Sequence, residues 1–230
     1  MKARSAFVWD FDGVIAQTPH KEAWGLACEK WGVKGFTDEF YDLYVSGKPR
    51  LEGARNILKR LAPELLHRGG ERIVEDFAEE KTSIYVDLVN RGMYALNTSV
   101  LEFIKASRTL GVIQVLASAS RNVLLIAERE YAGEKRIIDL FDADVSGTGK
   151  SKVEVFARAK SVAEELSGGR LGCLVFFDDA PAGVKAAKEQ GGKAVGCFHR
   201  ELKEYGADAV VEDFSLITPL VLLKELGCEA

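Results

Sequence analysis

The sequence has little excess charge of either sign and no Cys-x-x-Cys pair. Its 230 residues carry a formal net charge of −4, so no electrostatic feature predicts nucleic acid or an acidic membrane surface as a partner. The four cysteines are far apart and lack metal-ligand spacing; they are Cys28, Cys173, Cys197 and Cys228. We therefore expect most of them to be small, buried apolar residues.

The sequence also lacks a long apolar run. Apolar residues 6–9 are followed at once by Asp10, and residues 1–5 are polar, a pattern unlike a signal peptide. No stretch approaches the roughly 18 apolar residues that a membrane-spanning helix needs. These absences predict a soluble, cytoplasmic protein that does not bind membranes, and they leave the oligomeric state open.

Short apolar runs alternate with helical patterns from residue 99 onward. Together with residues 6–10, the runs that predict strands are 112–117, 143–145, 173–177, 194–198 and 209–211. The segments that predict helices are about 99–110, 121–132, 152–167, 181–191 and 215–226. Continuous apolar strands are typical of a sheet buried on both faces, and β-α alternation implies parallel strands. We therefore predict an α/β fold with a doubly wound, open parallel sheet.

Residues 17–95 show a different pattern. Apolar positions such as Ile57, Leu58 and Leu61 recur at helical spacing, and no convincing strand interrupts them. The simplest account is an insert of four or five helices after the first strand. The predicted division is a core of residues 1–16 and 96–230 and a helical insert of residues 17–95.

Acidic and polar residues follow several of the predicted strands. In chain order these residues are Asp10 and Asp12, then Ser118, then Asp178 and Asp179. Ligands of open α/β sheets bind beyond the carboxyl ends of the strands, so the four carboxylates would meet in one crevice. A single aspartate at such a position usually caps a turn, but four at two strand ends favour a site for Mg²⁺, which prefers oxygen ligands.

A hydroxyl and a lysine at the same edge would suit a phosphoryl group. The Ser118 hydroxyl and nearby backbone N–H groups could bind a phosphoryl oxygen, whereas Ser120 is more simply a helix cap. Lys150 and Lys152 are both available to neutralise phosphoryl charge. The Ser151–Glu154 capping-box pattern would make Lys152 the first residue of a helix, which favours Lys152 and leaves Lys150 as the alternative.

Together these residues resemble the motifs of the haloacid dehalogenase superfamily of phosphohydrolases. The resemblance rests on Asp10-Phe11-Asp12-Gly13-Val14, Ser118, the lysine that opens the next helix, and Asp178-Asp179. Residues 20–24, His-Lys-Glu-Ala-Trp, resemble the opening of the helical cap in the family's first subclass, which includes phosphoglycolate phosphatase and β-phosphoglucomutase. The resemblance implies a Rossmann-like core with an all-helical cap inserted after the first strand.

The resemblance also implies roles for the aspartates. Asp10 would attack phosphorus and form an aspartyl-phosphate, and Asp12 would act as general acid and base. Mg²⁺ would be held by Asp10, the backbone carbonyl of Asp12 and Asp179. Asp178 would be a further ligand or would position the other ligands without contacting the ion.

The remaining implied residues contact the substrate. Ser118 and Lys152, or Lys150 in its place, would stabilise the phosphoryl oxygens. Residues 118–122 resemble the loop after the second motif of the mutases, and the Arg50 guanidinium suits a distal phosphate. The complete set of expected substrate contacts is Ser118, Ala119, Arg121, Asn122, Arg50 and His20.

The function that this pattern favours is a Mg²⁺-dependent phosphatase, which hydrolyses a small phosphorylated metabolite. The alternative is a sugar-phosphate mutase similar to β-phosphoglucomutase, because of the loop at 118–122. A non-catalytic binding protein on the same scaffold is a third reading, since a fold does not determine a function. The carboxylate cluster argues against this third reading, because a module without chemistry has no need of it.

Overall fold

The computed structural model describes residues 4–228, which divide into two compact units. The larger unit comprises the residues up to 17 and from 96 onward, and the smaller unit comprises residues 18–95. Each unit has its own buried hydrophobic core. Within the described residues, no helix combines the length and apolar character required to cross a bilayer.

Ten strands, nine α-helices and three short 3-10 helices make up the regular structure of the described residues. The strands are β1 (Arg4–Trp9), β2 (Ala16–Gln17), β3 (Ala95–Leu96), β4 (Ile113–Leu116), β5 (Tyr131–Ala132), β6 (Lys135–Arg136), β7 (Ala143–Asp144), β8 (Leu171–Asp178), β9 (Lys193–Cys197) and β10 (Ala209–Val211). The helices are α1 (His20–Lys30), α2 (Asp38–Tyr44), α3 (Arg50–Leu61), α4 (Pro63–Asn90), α5 (Thr98–Thr109), α6 (Leu124–Ala127), α7 (Lys152–Leu166), α8 (Pro181–Glu189) and α9 (Pro219–Glu225).

A six-stranded parallel sheet forms the centre of the larger unit. Its strand order is β10-β9-β8-β1-β4-β7. Successive side chains of a strand point to opposite faces, so Val8 and Phe176 lie in a layer with α7 and α8, whereas Trp9 and Phe177 lie in an aromatic layer with Phe103 of α5. Helices therefore cover both faces, and the prediction of a doubly wound parallel sheet is confirmed.

Two helix predictions for the larger unit were wrong in extent. Residues 121–132 form only the short helix α6, because the chain then enters the β5–β6 hairpin, whose turn contains Gly133 with φ 73°. The pattern at 215–226 divides into a 3-10 helix at Phe214–Leu216 and helix α9. Pro219 begins α9 because proline has no N–H to extend a preceding helix but suits a first helical position.

The smaller unit contains helices and loops only between residues 18 and 94, so the all-helical insert is confirmed for this range. Its helices are α1 to α4, and α4 is interrupted at Gly70, which has φ 58° and ψ −141°. The core of this unit is built around the side chains of Trp24, Ile57, Leu58 and Phe77. The aromatic residues of the insert, such as Trp31 and Phe40, pack against this core.

The expectation for the cysteines was wrong for two of the four residues. Cys28 and Cys197 are buried thiols, as expected. Cys173 and Cys228 instead form a disulfide, with a Cα–Cα distance of 5.7 Å. The bond joins β8 to the residues that follow α9, and a separation of 55 residues in sequence gave no sign that these segments are neighbours in the fold.

Candidate active site

Three carboxylates meet beyond the carboxyl ends of β1 and β8. Asp10 follows β1, and its backbone N–H donates to the Phe177 carbonyl at 3.0 Å. Asp178 is the last residue of β8, and Asp179 follows it. Carboxylate oxygens of Asp10, Asp178 and Asp179 all lie within 4.8 Å of one another, so the parallel order of the two strands brings distant parts of the sequence to one point.

Two glycines leave the space that these carboxylates occupy. A Cβ atom at Gly13 would lie 1.9 Å from Asp179 Oδ2, and one at Gly183 would lie 1.9 Å from Asp178 Cγ. Gly13 also has φ 84°, a conformation that glycine adopts without the steric cost of a side chain. Both positions therefore require glycine if the carboxylates are to keep their places.

Lys152 is the cation of the cluster. Its Nζ lies 2.7 Å from Asp10 Oδ1 and 2.8 Å from Asp178 Oδ2. Lys152 is the first residue of α7 and follows the N-cap Ser151, whose Oγ accepts from the Glu154 N–H at 3.3 Å. The structure thus brings Lys152 to the carboxylates, whereas the side chain of the second predicted lysine, Lys150, is exposed.

The cluster is electrostatically unfavourable without a further cation. Burial, together with the charges of Asp178 and Asp12, raises the pKa of the Asp10 carboxyl to about 7 against the opposing effect of Lys152. Burial, followed by the charges of Asp178 and Asp10, raises the pKa of Asp179 well above its usual range. Burial would lower the pKa of Lys152, but the attraction of Asp10 and Asp178 outweighs it and the pKa is raised.

The donor set fits Mg²⁺. All the clustered side-chain ligands are carboxylate oxygens, the type that this hard cation prefers. Asp10 Oδ1 and Asp178 Oδ2 are buried and, within residues 4–228, contact Lys152 Nζ without hydrogen-bond geometry. Buried polar atoms normally have hydrogen-bond partners, so these oxygens retain acceptor capacity directed into the cluster.

Asp12 is held apart from the three clustered carboxylates. Its Oδ2 accepts a hydrogen bond from the Ser118 hydroxyl at 3.0 Å. The Ser118 Oγ also accepts from the Ser120 N–H at 3.0 Å, and the Ser118 N–H donates to Ser146 Oγ at 3.1 Å. Ser146 was missed by the sequence analysis, although its position directly after the predicted strand 143–145 was an available signal.

The loop after β4 carries three further predicted contact residues, Ala119, Arg121 and Asn122. The Asn122 N–H donates to Ser120 Oγ at 3.2 Å, which makes the turn that starts toward α6. Arg121 is exposed, and a Cβ at Gly147 would lie 2.3 Å from its Cγ. The loops after β4 and β7 therefore pack closely against each other.

The other two predicted contact residues belong to the smaller unit. Arg50 begins α3, and its guanidinium donates to Glu79 at 3.0 Å and to Thr82 at 2.8 Å. His20 begins α1, and its Nδ1 contacts the ammonium of Lys81, which is only 4% exposed. Lys81 was missed by the sequence analysis, although a lysine within the apolar stripe of α4 was a signal of a buried charge.

A family model described as haloacid dehalogenase-like hydrolase matches residues 5–191. The chain belongs to this family. The resemblance drawn from the sequence motifs is therefore confirmed, and a search of curated proteins found no match.

Several solved structures are similar to this chain over nearly their whole length. The archaeal β-phosphoglucomutase from Pyrococcus sp. strain ST 04 has 34% identity and a TM-score of 0.82, with 96% of this chain and 98% of that chain covered. The β-phosphoglucomutase from Clostridium difficile has 22% identity and a TM-score of 0.80, with 97% of both chains covered. CbbY from Rhodobacter sphaeroides, in complex with phosphate, has 20% identity and a TM-score of 0.69, with 92% and 95% covered. The structures from Clostridium difficile and Rhodobacter sphaeroides show the fold alone. The family model and the archaeal structure indicate that the chain is a phosphatase or phosphoglucomutase-like member of the family.

Proposed function

We propose that this chain is a Mg²⁺-dependent phosphatase that hydrolyses a small phosphorylated metabolite, with Asp10 as the nucleophile. The observation that carries the proposal is the buried cluster of Asp10, Asp178, Asp179 and Lys152. It combines a nucleophilic carboxylate, oxygen ligands for a cation, and an ammonium group that can neutralise phosphoryl oxygens. Phosphoryl transfer depends mainly on such positioning and electrostatic stabilisation.

Asp10, Asp179 and the backbone carbonyl of Asp12 would hold Mg²⁺, and Asp178 would be a further ligand or would orient Lys152. The bound ion supplies positive charge, which favours the ionised form of Asp10 and offsets the charge of the phosphoryl oxygens. Gly13 supports this arrangement, because its missing side chain is what lets Asp179 approach the turn after β1.

The first half-reaction forms a bond between an Asp10 carboxylate oxygen and phosphorus. The bond from phosphorus to the leaving oxygen breaks, and Asp12 protonates that oxygen. The Ser118 hydroxyl, which donates to Asp12 at 3.0 Å, would donate to a phosphoryl oxygen once substrate is bound. This exchange would release the Asp12 carboxyl to act on the leaving group.

The second half-reaction removes the phosphoryl group from Asp10. Asp12, now ionised, takes a proton from water, and the water oxygen forms a bond to phosphorus while the bond to Asp10 breaks. The products are inorganic phosphate and the free Asp10 carboxylate. Lys152, or the alternative Lys150, would stabilise the phosphoryl oxygens in both steps, and the geometry favours Lys152.

The test is the hydrolysis of p-nitrophenyl phosphate and of a panel of sugar phosphates, with Mg²⁺ and with excess EDTA. We expect turnover only with Mg²⁺, no turnover by Asp10→Asn, and a loss of about 10²- to 10⁴-fold for Asp12→Asn. Asp139→Asn is a matched control, because this exposed aspartate pairs with Arg136 on the surface. Full activity in EDTA, or near-normal turnover by Asp10→Asn, would refute the proposal.

A second candidate is a β-phosphoglucomutase-like sugar-phosphate mutase. The 34% identity to the archaeal β-phosphoglucomutase favours it, as does the resemblance of residues 118–122 to the mutase loop. In this reading the loop residues Ala119, Arg121 and Asn122, with Arg50 and His20 of the smaller unit, contact the substrate beyond the transferred phosphate. Arg50 donates to Glu79 and Thr82 through Nη1 alone, so the N–H groups of Nε and Nη2 could still bind a phosphate.

Separating inorganic phosphate from isomerised sugar phosphate in a product assay distinguishes the two candidates. Phosphate release in proportion to substrate consumed supports the phosphatase, whereas an isomerised sugar phosphate without phosphate release supports the mutase. Binding of tungstate without turnover of any phosphoester would point instead to a non-catalytic protein.

The cytoplasm remains the predicted compartment of this proposed enzyme. The Cys173–Cys228 disulfide bears on that prediction, because disulfides are rare in reducing compartments except in intracellular proteins of hyperthermophiles. Labelling of free thiols in freshly lysed cells would test it, since a fully oxidised pair in a mesophilic host would contradict a cytoplasmic location.

A further inference from the structure

Trp9 connects the end of β1 to both neighbouring strands. It is fully buried and is the last residue of the strand, directly before Asp10. Its carbonyl accepts from the Ala117 N–H at 2.8 Å, and the Asp10 N–H donates to the Phe177 carbonyl at 3.0 Å. The single peptide group that joins Trp9 to Asp10 is therefore hydrogen-bonded to β8 on one side and to the end of β4 on the other.

The Trp9 side chain, within the aromatic layer, also contacts both neighbouring strands. Its ring stacks on Phe177, with centroids 3.8 Å apart and planes 9° apart, and Phe177 directly precedes Asp178. Its indole N–H donates to Gln114 Oε1 at 2.8 Å, and Gln114 belongs to β4, which leads to Ser118. One side chain thus links the three strands that deliver the nucleophile, the metal-site carboxylates and the phosphoryl-binding hydroxyl.

Gln114 is itself fixed in orientation. It has no exposed surface, its Nε2 donates to the Val112 carbonyl at 3.0 Å, and its backbone N–H donates to Asp142 Oδ2 at 2.8 Å. The bond to Val112 identifies Nε2 as the donor end of the amide, so Oε1 is the end that faces the indole of Trp9. The acceptor for the indole N–H therefore has a single defined position.

Packing alone does not account for this pair. A buried amide in an otherwise apolar layer is unfavourable unless it is hydrogen-bonded, and aliphatic or phenyl side chains would fill the same volume without that cost. The neighbours Phe7, Phe103 and Phe214 show that the layer accepts apolar aromatic rings. The Trp9–Gln114 bond fixes the orientation of the indole ring, because a hydrogen bond is directional whereas apolar contact is not.

We propose that Trp9 and Gln114 are positioning residues, whose hydrogen bond holds the Asp10 carboxylate in register with Asp178 and Ser118. This inference rests on the proposed phosphoryl-transfer function. The effect is exerted through the ends of the three strands, since neither side chain is part of the carboxylate cluster. Small displacements of reacting groups are costly, with a shift of about 1 Å able to reduce rates by about 10²-fold.

The test combines kinetics with Mg²⁺ binding. Gln114→Met removes the acceptor while keeping an unbranched side chain, and Trp9→Phe keeps a ring against Phe177 but removes the donor. For each variant we expect kcat to fall by about tenfold with KM within about twofold of the wild-type value, because phosphoryl transfer depends on geometry. We also expect weaker Mg²⁺ binding by isothermal titration calorimetry, which requires no turnover. Gln190→Met is the matched control, because Gln190 follows α8, away from the aromatic layer.

The double variant Trp9→Phe with Gln114→Met distinguishes the bond from two separate packing effects. If one bond carries the effect, the double variant loses about as much kcat as the worse single variant. A double variant whose loss of kcat equals the product of the two single losses would overturn the proposal. Variants that have lower melting temperatures but wild-type kcat and wild-type Mg²⁺ affinity would also overturn the proposal. If Gln114→Met does not fold, the same comparison can be made with Trp9→Phe alone.

Failure of the proposed function would be recognised separately. It would appear as a wild-type protein without Mg²⁺-dependent turnover, or as an active Asp10→Asn variant. The calorimetric comparison of Mg²⁺ affinity between the wild type, Gln114→Met and Gln190→Met would still decide whether the Trp9–Gln114 bond orders the carboxylates. Equal affinities in all three would overturn the positioning role.

Discussion

Replacing Lys152 with methionine would test both the electrostatics and the chemistry of the site. Methionine has a similar length and flexibility but no charge, so the change removes the ammonium group without opening a large cavity. Lys152 is the cation that the structure places between Asp10 and Asp178. We therefore expect Lys152→Met to be less stable than the wild type without Mg²⁺ and to be much less active with it.

The expected loss of stability follows from the two contacts of Lys152. At 2.7 and 2.8 Å, each contact corresponds to a gross attraction of about 6 kcal/mol at an effective dielectric constant of about 20. Desolvation of the three buried ions offsets most of this, so the ion cluster as a whole adds little net stability over well-packed apolar residues in its place. Removing one partner nevertheless leaves unpaired buried charges, which typically costs about 3–5 kcal/mol. Saturating Mg²⁺ should recover part of the loss, because the ion replaces the missing positive charge.

Urea denaturation in EDTA and in saturating Mg²⁺ measures this effect, with the free energy of unfolding obtained by linear extrapolation. In the activity assay we expect kcat/KM to fall by about 10²- to 10³-fold, the range for loss of one group that stabilises developing charge. Lys150→Met is the matched control, and it should remain close to the wild type in both measurements because its side chain is exposed. Equal stability and activity of the two lysine variants, or a larger effect at Lys150, would show that the assignment of Lys152 is wrong.

Two further predictions concern the glycine beside Asp178 and the disulfide. Gly183→Ala should weaken Mg²⁺ binding in calorimetry and reduce kcat, because the new Cβ would lie 1.9 Å from Asp178 Cγ. The control is Gly25→Ala, whose new Cβ would lie 3.9 Å from the ring of Phe36. This control should stabilise α1 by about 0.5–1 kcal/mol. Unchanged Mg²⁺ affinity in Gly183→Ala would contradict the first prediction. Cys228→Ser should lower the free energy of unfolding by about 4 kcal/mol in a chain-entropy estimate for the separation of 55 residues between Cys173 and Cys228. Under reducing conditions the variant and the wild type should become equal, and a difference that persists there would contradict a disulfide origin.

The sheet and the site residues that follow its strands could be predicted because local sequence carries the signal. A strand buried on both faces must be apolar along its length, so the charged residues Asp10 and Asp178 mark where β1 and β8 leave the core. The rule that ligands bind at the carboxyl ends of parallel strands then groups these residues without knowledge of the strand order. Lys152 could be favoured for a similar local reason, since the cap at Ser151 determines where α7 begins.

Other features depend on contacts between distant segments, and no local pattern reports them. The fit of Asp178 against Gly183 is specified by a close approach that only the fold defines, and the disulfide links residues 55 apart. Local signals also failed where tertiary structure overrides them. Residues 121–132 have a helical pattern, yet the turn at Gly133 and the pairing of β5 with β6 divert the chain after α6.

The carboxylate cluster and the layer beneath it have opposite effects on stability. Bringing Asp10 and Asp179 into a buried site raises the pKa of both carboxyls, which means that the folded protein disfavours the charged forms that phosphoryl transfer and metal binding need. Such local strain persists only where the surrounding structure holds the groups in place. Under the proposed positioning role, that structure is the stack of Trp9 on Phe177 and the bond from Trp9 to Gln114, which are buried on the side of the strands opposite to Val8. We therefore expect changes in the aromatic layer to disturb the candidate active site by displacing the ends of β1, β4 and β8, without any contact between that layer and the phosphate.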